Sequence, residues 1–185
     1  MPTVGIIVGS LSSKSINREL AKAIAKRLPE DVESTFIEIA DLPLYTPDAD
    51  ADYPAPARAF KQAIEAADGI IIVTPEYSRS IPGALKNALD WAARPWGTNS
   101  FNGKPVAIAG ASGGPIGTAA AQQHLRAILG HLNTLTLGQP ETFVRFSPEA
   151  FPGDGEIADP ATEAVVSNFA KAAAAHISRV AAVTV

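Results

Sequence analysis

A hydroxyl-rich segment at residues 9–18 has the composition of a phosphate-binding loop. It reads GSLSSKSINR and follows the first apolar run of the chain. Ser15 or Asn17 is a suitable N-cap for a helix that begins here. A phosphate at such a helix start would meet backbone N–H groups, hydroxyls and the positive end of the helix dipole. Lys14 or Arg18 would add a positive charge, although a turn that only caps a helix is the alternative for this loop taken alone.

The loop differs from two common nucleotide-binding loops. It lacks the G-x-G-x-x-G pattern of dinucleotide-binding folds, and it lacks the second Gly-Lys of a P-loop. Neither dinucleotide binding by this segment nor ATP hydrolysis is therefore indicated.

Residues 74–83, which read TPEYSRSIPG, form a second unusual loop after an apolar run. Pro82 suits the start of a helix, where its missing N–H has little effect. An exposed Tyr77 beside Glu76 favours a flat ligand, whereas a solvated acid and a packed ring are the alternative.

Residues 110–117, which read GASGGPIG, form a third such loop and hold four glycines. Glycine permits positive φ angles and close approach of the backbone to a ligand. A tight turn would explain one such loop, but three ligand-shaped loops after three strands predict one binding crevice.

Short apolar runs predict the strands that position these loops. Residues 4–8, 69–74 and 106–110 have the pattern of parallel strands buried on both faces. Residues 32–39 alternate only roughly, which suits a strand near the edge, and residues 134–137 predict a short last strand. The carboxyl ends of parallel strands form one ligand crevice, which brings the three loops together.

Helical periodicity alternates with the strands and continues over residues 118–132 and about 160–180. The predicted fold is α/β: a flavodoxin-like, doubly wound, five-stranded parallel sheet of order 2-1-3-4-5 with helices on both faces. Residues 41–56 predict a long surface loop, and residues 180–185 a helix end or frayed tail. One domain is predicted over residues 1–185.

Composition limits the function classes. Of the 185 residues, 46% are hydrophobic and 18% are charged, which predicts subunit contacts and a homodimer or homotetramer. The net charge of -4 and the scattered basic residues argue against a nucleic-acid partner. No apolar run reaches the length of a membrane span, and strand-like residues begin at Thr3 without a leader pattern, so a cytoplasmic protein is expected.

The sequence offers no metal site and no evident catalytic acid. It has no cysteine, and His124, His131 and His176 stand without neighbouring ligand residues. His124 is predicted to be structural, on a helix surface near an interface. Any redox chemistry is left to an organic cofactor and a small-molecule electron acceptor.

The chain resembles the NAD(P)H-dependent FMN reductases, close to the bacterial chromate reductase and quinone reductase branch. The resemblance runs nearly end to end, and its most specific part is the middle piece. The motifs are GSL at residues 9–11, S-x-NR at 15–18, PEY at 75–77, SIPG-x-LKN at 80–87, DW at 90–91, SGG at 112–114 and GT at 117–118.

The resemblance implies non-covalent FMN, with NAD(P)H as co-substrate and hydride passing through FMN to quinones or similar acceptors. The phosphate is expected in the first loop and the isoalloxazine ring beside the other two. The implied cofactor-binding residues are Ser10, Ser12, Ser15, Ile16, Asn17, Pro75, Glu76, Tyr77, Ser78, Ser112, Gly113 and Gly114. No side chain is expected to act as a nucleophile, because the flavin carries the chemistry.

Two residues depart from the family's usual pattern. Relatives commonly have arginine where this chain has Ser12, and asparagine where it has Ser78. The first change removes a cation from the phosphate loop unless Lys14 or Arg18 replaces it. The second shortens a side chain beside the flavin. A flavodoxin-type electron carrier and a flavin-free α/β binding module are therefore alternative functions.

Overall fold

The computed structural model describes residues 1–182, and residues 183–185 lie outside the described part. The predicted helix end or frayed tail at 180–185 falls partly on those three residues. The strands are β1 Thr3–Val8, β2 Glu33–Ile37, β3 Gly69–Val73, β4 Pro105–Ser112, β5 Leu135–Thr136 and β6 Thr142–Arg145. The helices are α1 Ile16–Lys26, α2 Ala55–Ala66, α3 Gly83–Ala93, α4 Ala119–His131 and α5 Pro160–Ala181, with a short 3-10 helix at Pro47–Ala49.

The strands form one parallel sheet in the predicted order β2-β1-β3-β4-β5. The predicted number of strands was wrong, because the sheet has six. β5 and β6 share the fifth position, β5 beside Pro105 and Val106 and β6 beside the last residues of β4. Pro140 lies between them and has no N–H for the ladder, which explains why two short strands replace one.

Helices cover both faces of the sheet, as predicted. On one face, α1 and α5 bury the side chains of Val4, Ile6 and Val8. On the other, α2, α3 and α4 bury those of Ile7, Ile70 and Ile72. Because β1 and β3 are covered on both sides, they read as continuous apolar runs instead of alternating ones.

The long segment at residues 41–54 packs against α3 through aromatic contacts. The rings of Tyr45 and Tyr53 meet the buried indole of Trp91 edge to face, with centroids 5.1 and 4.8 Å away. The Tyr53 hydroxyl donates to the backbone oxygens of Trp91 and Arg94. Burial raises the pKa of Tyr53. In the described part of the chain, no helix is both long and apolar enough to cross a bilayer.

Candidate functional site

The three predicted ligand loops lie together at the carboxyl edge of the sheet. Backbone hydrogen bonds tie their first residues: Gly9 N donates to Val73 O at 2.9 Å, and Thr74 N donates to Ala109 O at 3.0 Å. The three loops therefore begin at one level of the sheet, as the predicted topology requires.

The side chain of Asn17 bridges the first and third loops. It is 1% exposed, its Nδ2 donates to Ala111 O at 2.9 Å, and its Oδ1 accepts from Ala111 N at 2.8 Å. Both polar ends of the amide are thus satisfied by the backbone at the end of β4. The Asn17 side chain positions the two loops, and its backbone N–H stays available to a ligand.

Three serines of the first loop accept backbone hydrogen bonds and keep their hydroxyl protons. Ser15 is the N-cap of α1, and its Oγ accepts from Arg18 N at 3.2 Å. Ser12 Oγ accepts from Lys14 N at 3.2 Å, and Ser10 Oγ accepts from Ser12 N at 3.4 Å. Each hydroxyl can therefore donate to an anion.

Five backbone N–H groups of the same loop make no hydrogen bond to any of residues 1–182. They belong to Ser10, Leu11, Ser13, Ile16 and Asn17, and the last two are the orphan donors of the first helical turn. Unpartnered N–H groups at a helix start are a natural cradle for phosphate. The loop thus fits the phosphate end of a cofactor.

A cavity of about 560 Å³ opens on this loop. It extends to the end of β2 and to the segment at residues 146–151, two regions that the sequence did not associate with the site. The lining residues are Val8, Ser10, Leu11, Ser12, Ser13, Lys14, Ser15, Ile16, Arg18, Glu19, Lys22, Glu38, Ile39, Ala40, Phe146, Pro148 and Phe151. The second and third loops contribute no residue to its lining.

Glu38, at the end of β2, forms a bidentate pair with Arg18. The two Arg18 nitrogens lie 2.8 and 2.5 Å from the carboxylate oxygens. These hydrogen bonds lower the pKa of the Glu38 carboxyl and raise that of the Arg18 guanidinium. No sequence pattern indicates this pair, because the two residues are 20 positions apart on different elements.

The tip of the second loop is a tight two-residue turn. Tyr77 N donates to Ser80 O, and Ser80 N donates to Tyr77 O, both at 2.9 Å. The central residues Ser78 and Arg79 have φ angles of 50° and 64°. Two positive φ angles define a type I′ turn, for which Asn-Gly is the preferred pair. Ser78 and Arg79 are therefore not the residue types that this turn prefers.

Replacing Ser78 with asparagine, together with Arg79→Gly, is expected to stabilise the protein. Left-handed backbone costs an L-residue about 1 kcal/mol that glycine does not lose, and asparagine tolerates it better than serine. Chemical denaturation should show the double variant more stable by about 1 kcal/mol. Ser78→Ala is the control and should give no gain. A double variant no more stable than the parent would show that the turn is unstrained.

The carboxylate of Glu76 caps helix α4 from the neighbouring loop. Its Oε2 accepts from Ala121 N at 3.1 Å, and only 11% of the side chain is exposed. Thr118, the N-cap of α4, makes no side-chain capping bond. His124 Nδ1 also lies 3.0 Å from Ser80 Oγ. The second loop is thereby held against α4, and Glu76 lies at the site as a positioning residue.

The third loop presents open backbone. A Cβ added to Gly113 would meet nothing within 4 Å, and one added to Gly114 would meet only Ser112 Oγ at 3.6 Å. Ser112 Oγ bonds to the backbone of Gly114. A planar group can therefore approach this backbone closely.

Each of the three loops also carries one exposed apolar side chain. Leu11, Tyr77 and Ile116 are 56%, 53% and 54% exposed. Large apolar groups in water at a crevice edge are typical of a binding site for a flat, partly apolar ligand.

The NADPH-dependent FMN reductase family model matches residues 2–149. The chain is 48% identical over 166 residues to the 2-hydroxy-1,4-benzoquinone reductase of a Burkholderia species, covering 90% of this chain and 91% of that protein. The structure of FerB, a flavoenzyme NAD(P)H:(acceptor) oxidoreductase from Paracoccus denitrificans, matches with a TM-score of 0.92 and 40% identity, covering 97% and 98% of the two chains. A flavodoxin, WrbA-like protein from Agrobacterium tumefaciens shares the fold, with a TM-score of 0.59 at 21% identity over 95% and 98%.

The fold and the three loops define a flavodoxin-like flavoprotein. The chain belongs to the NADPH-dependent FMN reductase family, and it is an FMN-dependent oxidoreductase that uses NAD(P)H. The five unpartnered N–H groups and the hydroxyl protons of the first loop fit the FMN phosphate. The predicted family, fold and cofactor are confirmed, apart from the strand count.

Proposed function

We propose that the protein reduces small quinones at the expense of NAD(P)H. The observation that carries this proposal is the exposed apolar side chain on each of the three loops, Leu11, Tyr77 and Ile116, beside a loop built for phosphate. A flat, uncharged acceptor suits these side chains better than a large or highly charged one. The benzoquinone reductase similar to this chain supports the same acceptor class.

The reaction balances without a protein nucleophile or metal. NAD(P)H, one proton and a quinone give NAD(P)+ and a hydroquinone, so two electrons and two protons reach the acceptor. Bound FMN supplies the hydride-transfer chemistry. The protein binds and orients the reactants, and backbone donors at the crevice stabilise negative charge.

The proposed binding residues fall into three groups by loop. Ser10, Ser12, Ser15 and the backbone N–H groups of Ile16 and Asn17 bind the phosphate. One wall of the site for the isoalloxazine ring is formed by Pro75, Glu76, Tyr77 and Ser78. In this wall, Tyr77 contributes its aromatic ring and Glu76 its backbone. Ser112, Gly113 and Gly114 form the other wall through open backbone.

Steady-state oxidation of NADH and NADPH by the FMN-loaded protein tests this function. We expect 1,4-benzoquinone to accelerate nucleotide oxidation well beyond the rate with oxygen alone. Failure to oxidise either nucleotide would favour the flavodoxin-type electron carrier. A preparation that binds no flavin would favour the flavin-free binding module. Oxidation that quinone does not accelerate would refute the proposed acceptor.

We further propose that the protein self-associates through the groove between α3 and α4. This groove has a volume of about 1350 Å³ and is lined by Trp96, Arg94, Lys86, Asp90 and His131 among others. Trp96 is 82% exposed, and aromatic and arginine side chains are enriched at subunit interfaces. The low charge content supports a homodimer or homotetramer.

We also propose that residues 1–185 act as one domain and that the protein works in the cytoplasm.

Trp96→Lys is expected to weaken this self-association by at least about tenfold, because a buried tryptophan commonly dominates interface energy. Light scattering over a concentration series measures the effect. Val165→Lys is the matched control, since Val165 is 46% exposed on α5, against the opposite face of the sheet. Equal assembly of the Trp96 variant and the parent would contradict this interface.

A further inference from the structure

We infer that Lys14 supplies the cation that binds the FMN phosphate, whereas the family resemblance leads us to expect an arginine at position 12. This inference rests on the proposed function and assigns one further residue that favours FMN over riboflavin. Three basic side chains line the cavity at the first loop: Lys14, Arg18 and Lys22. Their ion pairs decide which of them is available to a ligand.

Arg18 is already paired with a carboxylate of the protein. Both of its terminal nitrogens bind the Glu38 carboxylate, at 2.8 and 2.5 Å. Its guanidinium also lies 5.3 Å from the centroid of the Phe36 ring. A bidentate pair neutralises the charge and fixes the orientation of the guanidinium, so Arg18 links α1 to the end of β2.

Lys22 is likewise paired. Its Nζ lies 2.9 Å from Glu19 and 3.4 Å from Asp154. Glu19 also accepts from Gly155 N at 3.2 Å, so this cluster holds the segment after β6 against α1. The two acids that line the cavity, Glu19 and Glu38, are thus both neutralised by the protein's own cations.

Lys14 is different. Its side chain makes no hydrogen bond or ion pair with any of residues 1–182, and it lies in the loop itself. Its backbone N–H donates to Ser12 Oγ at 3.2 Å, which holds Lys14 two residues beyond Ser12 and directly before the N-cap Ser15. An unpaired ammonium at this point complements a phosphate of about -1.5 to -2 charge.

Titration of the full chain with FMN and with riboflavin tests the inference. Lys14→Gln should weaken FMN binding by about tenfold and leave riboflavin binding unchanged, because riboflavin has no phosphate. Lys171→Gln, which removes an exposed charge on α5, should change neither affinity. The Lys14 variant has one fewer cation at the phosphate, so salt should weaken its FMN binding less than it weakens that of the parent.

A rescue variant keeps the test specific. Adding Ser12→Arg to Lys14→Gln restores a cation to the loop and should recover most of the lost FMN affinity. An unchanged ratio of FMN to riboflavin affinity in the Lys14 variant would overturn the inference and leave the proposed function intact. Failure of the parent protein to bind either flavin would instead refute the proposed function.

Discussion

Ser15→Asp is expected to weaken FMN binding by about 100-fold, equivalent to about 2.7 kcal/mol. The Ser15 side chain caps α1, and aspartate is as good an N-cap as serine, so the helix start should persist. The new carboxylate would lie beside the phosphate. Two like charges at close range near a protein surface repel by a few kcal/mol.

Ser15→Asn is the matched control, because it keeps a capping side chain without a charge. Fluorescence titration with FMN measures both variants, and circular dichroism reports whether α1 is retained. Loss of affinity in the aspartate variant alone would assign the effect to charge. Equal affinities for FMN in the two variants would place the phosphate elsewhere.

Gly110→Ala is expected to destabilise the protein by about 3 kcal/mol and to abolish flavin binding. An added Cβ would lie 2.0 Å from Thr118 Oγ1 and 2.3 Å from the backbone oxygen of Thr74. Neither a buried strand end nor a helix start can move aside cheaply. The resulting shift would separate the second and third loops, and the melting temperature should fall by roughly 10 °C.

Gly113→Ala separates stability from binding. Its added Cβ meets no atom within 4 Å, so the melting temperature without flavin should be close to that of the parent. We expect weaker FMN binding nevertheless, because the methyl group would lie where the ring approaches the backbone. If Gly110→Ala melts like Gly113→Ala, the close contact at the end of β4 is absent.

The sheet could be predicted from sequence because local signals determine it. Continuous apolar runs at β1 and β3 report burial on both faces, and the alternation between strands and helices favours the parallel order. The strand β6 was missed because it has only four residues, although Thr, Phe and Val are residue types that favour strands. Pro140 was the visible clue to the break before it.

The candidate site was predictable as three loops but not as a set of contacts. Ser15 and Asn17 are equally good caps by residue type, and only the fold shows that Asn17 reaches Ala111, 94 positions away. Glu76 likewise bonds to a helix start 45 positions away. The type I′ turn was hidden because Ser-Arg lacks the Asn-Gly signature.

The most direct test of the whole account is anaerobic spectroscopy of the FMN-loaded protein. We predict that NADPH or NADH removes the visible absorption of the bound flavin and that 1,4-benzoquinone then restores it. A flavin that a chemical reductant bleaches, but that keeps its colour with both nucleotides, would contradict the account.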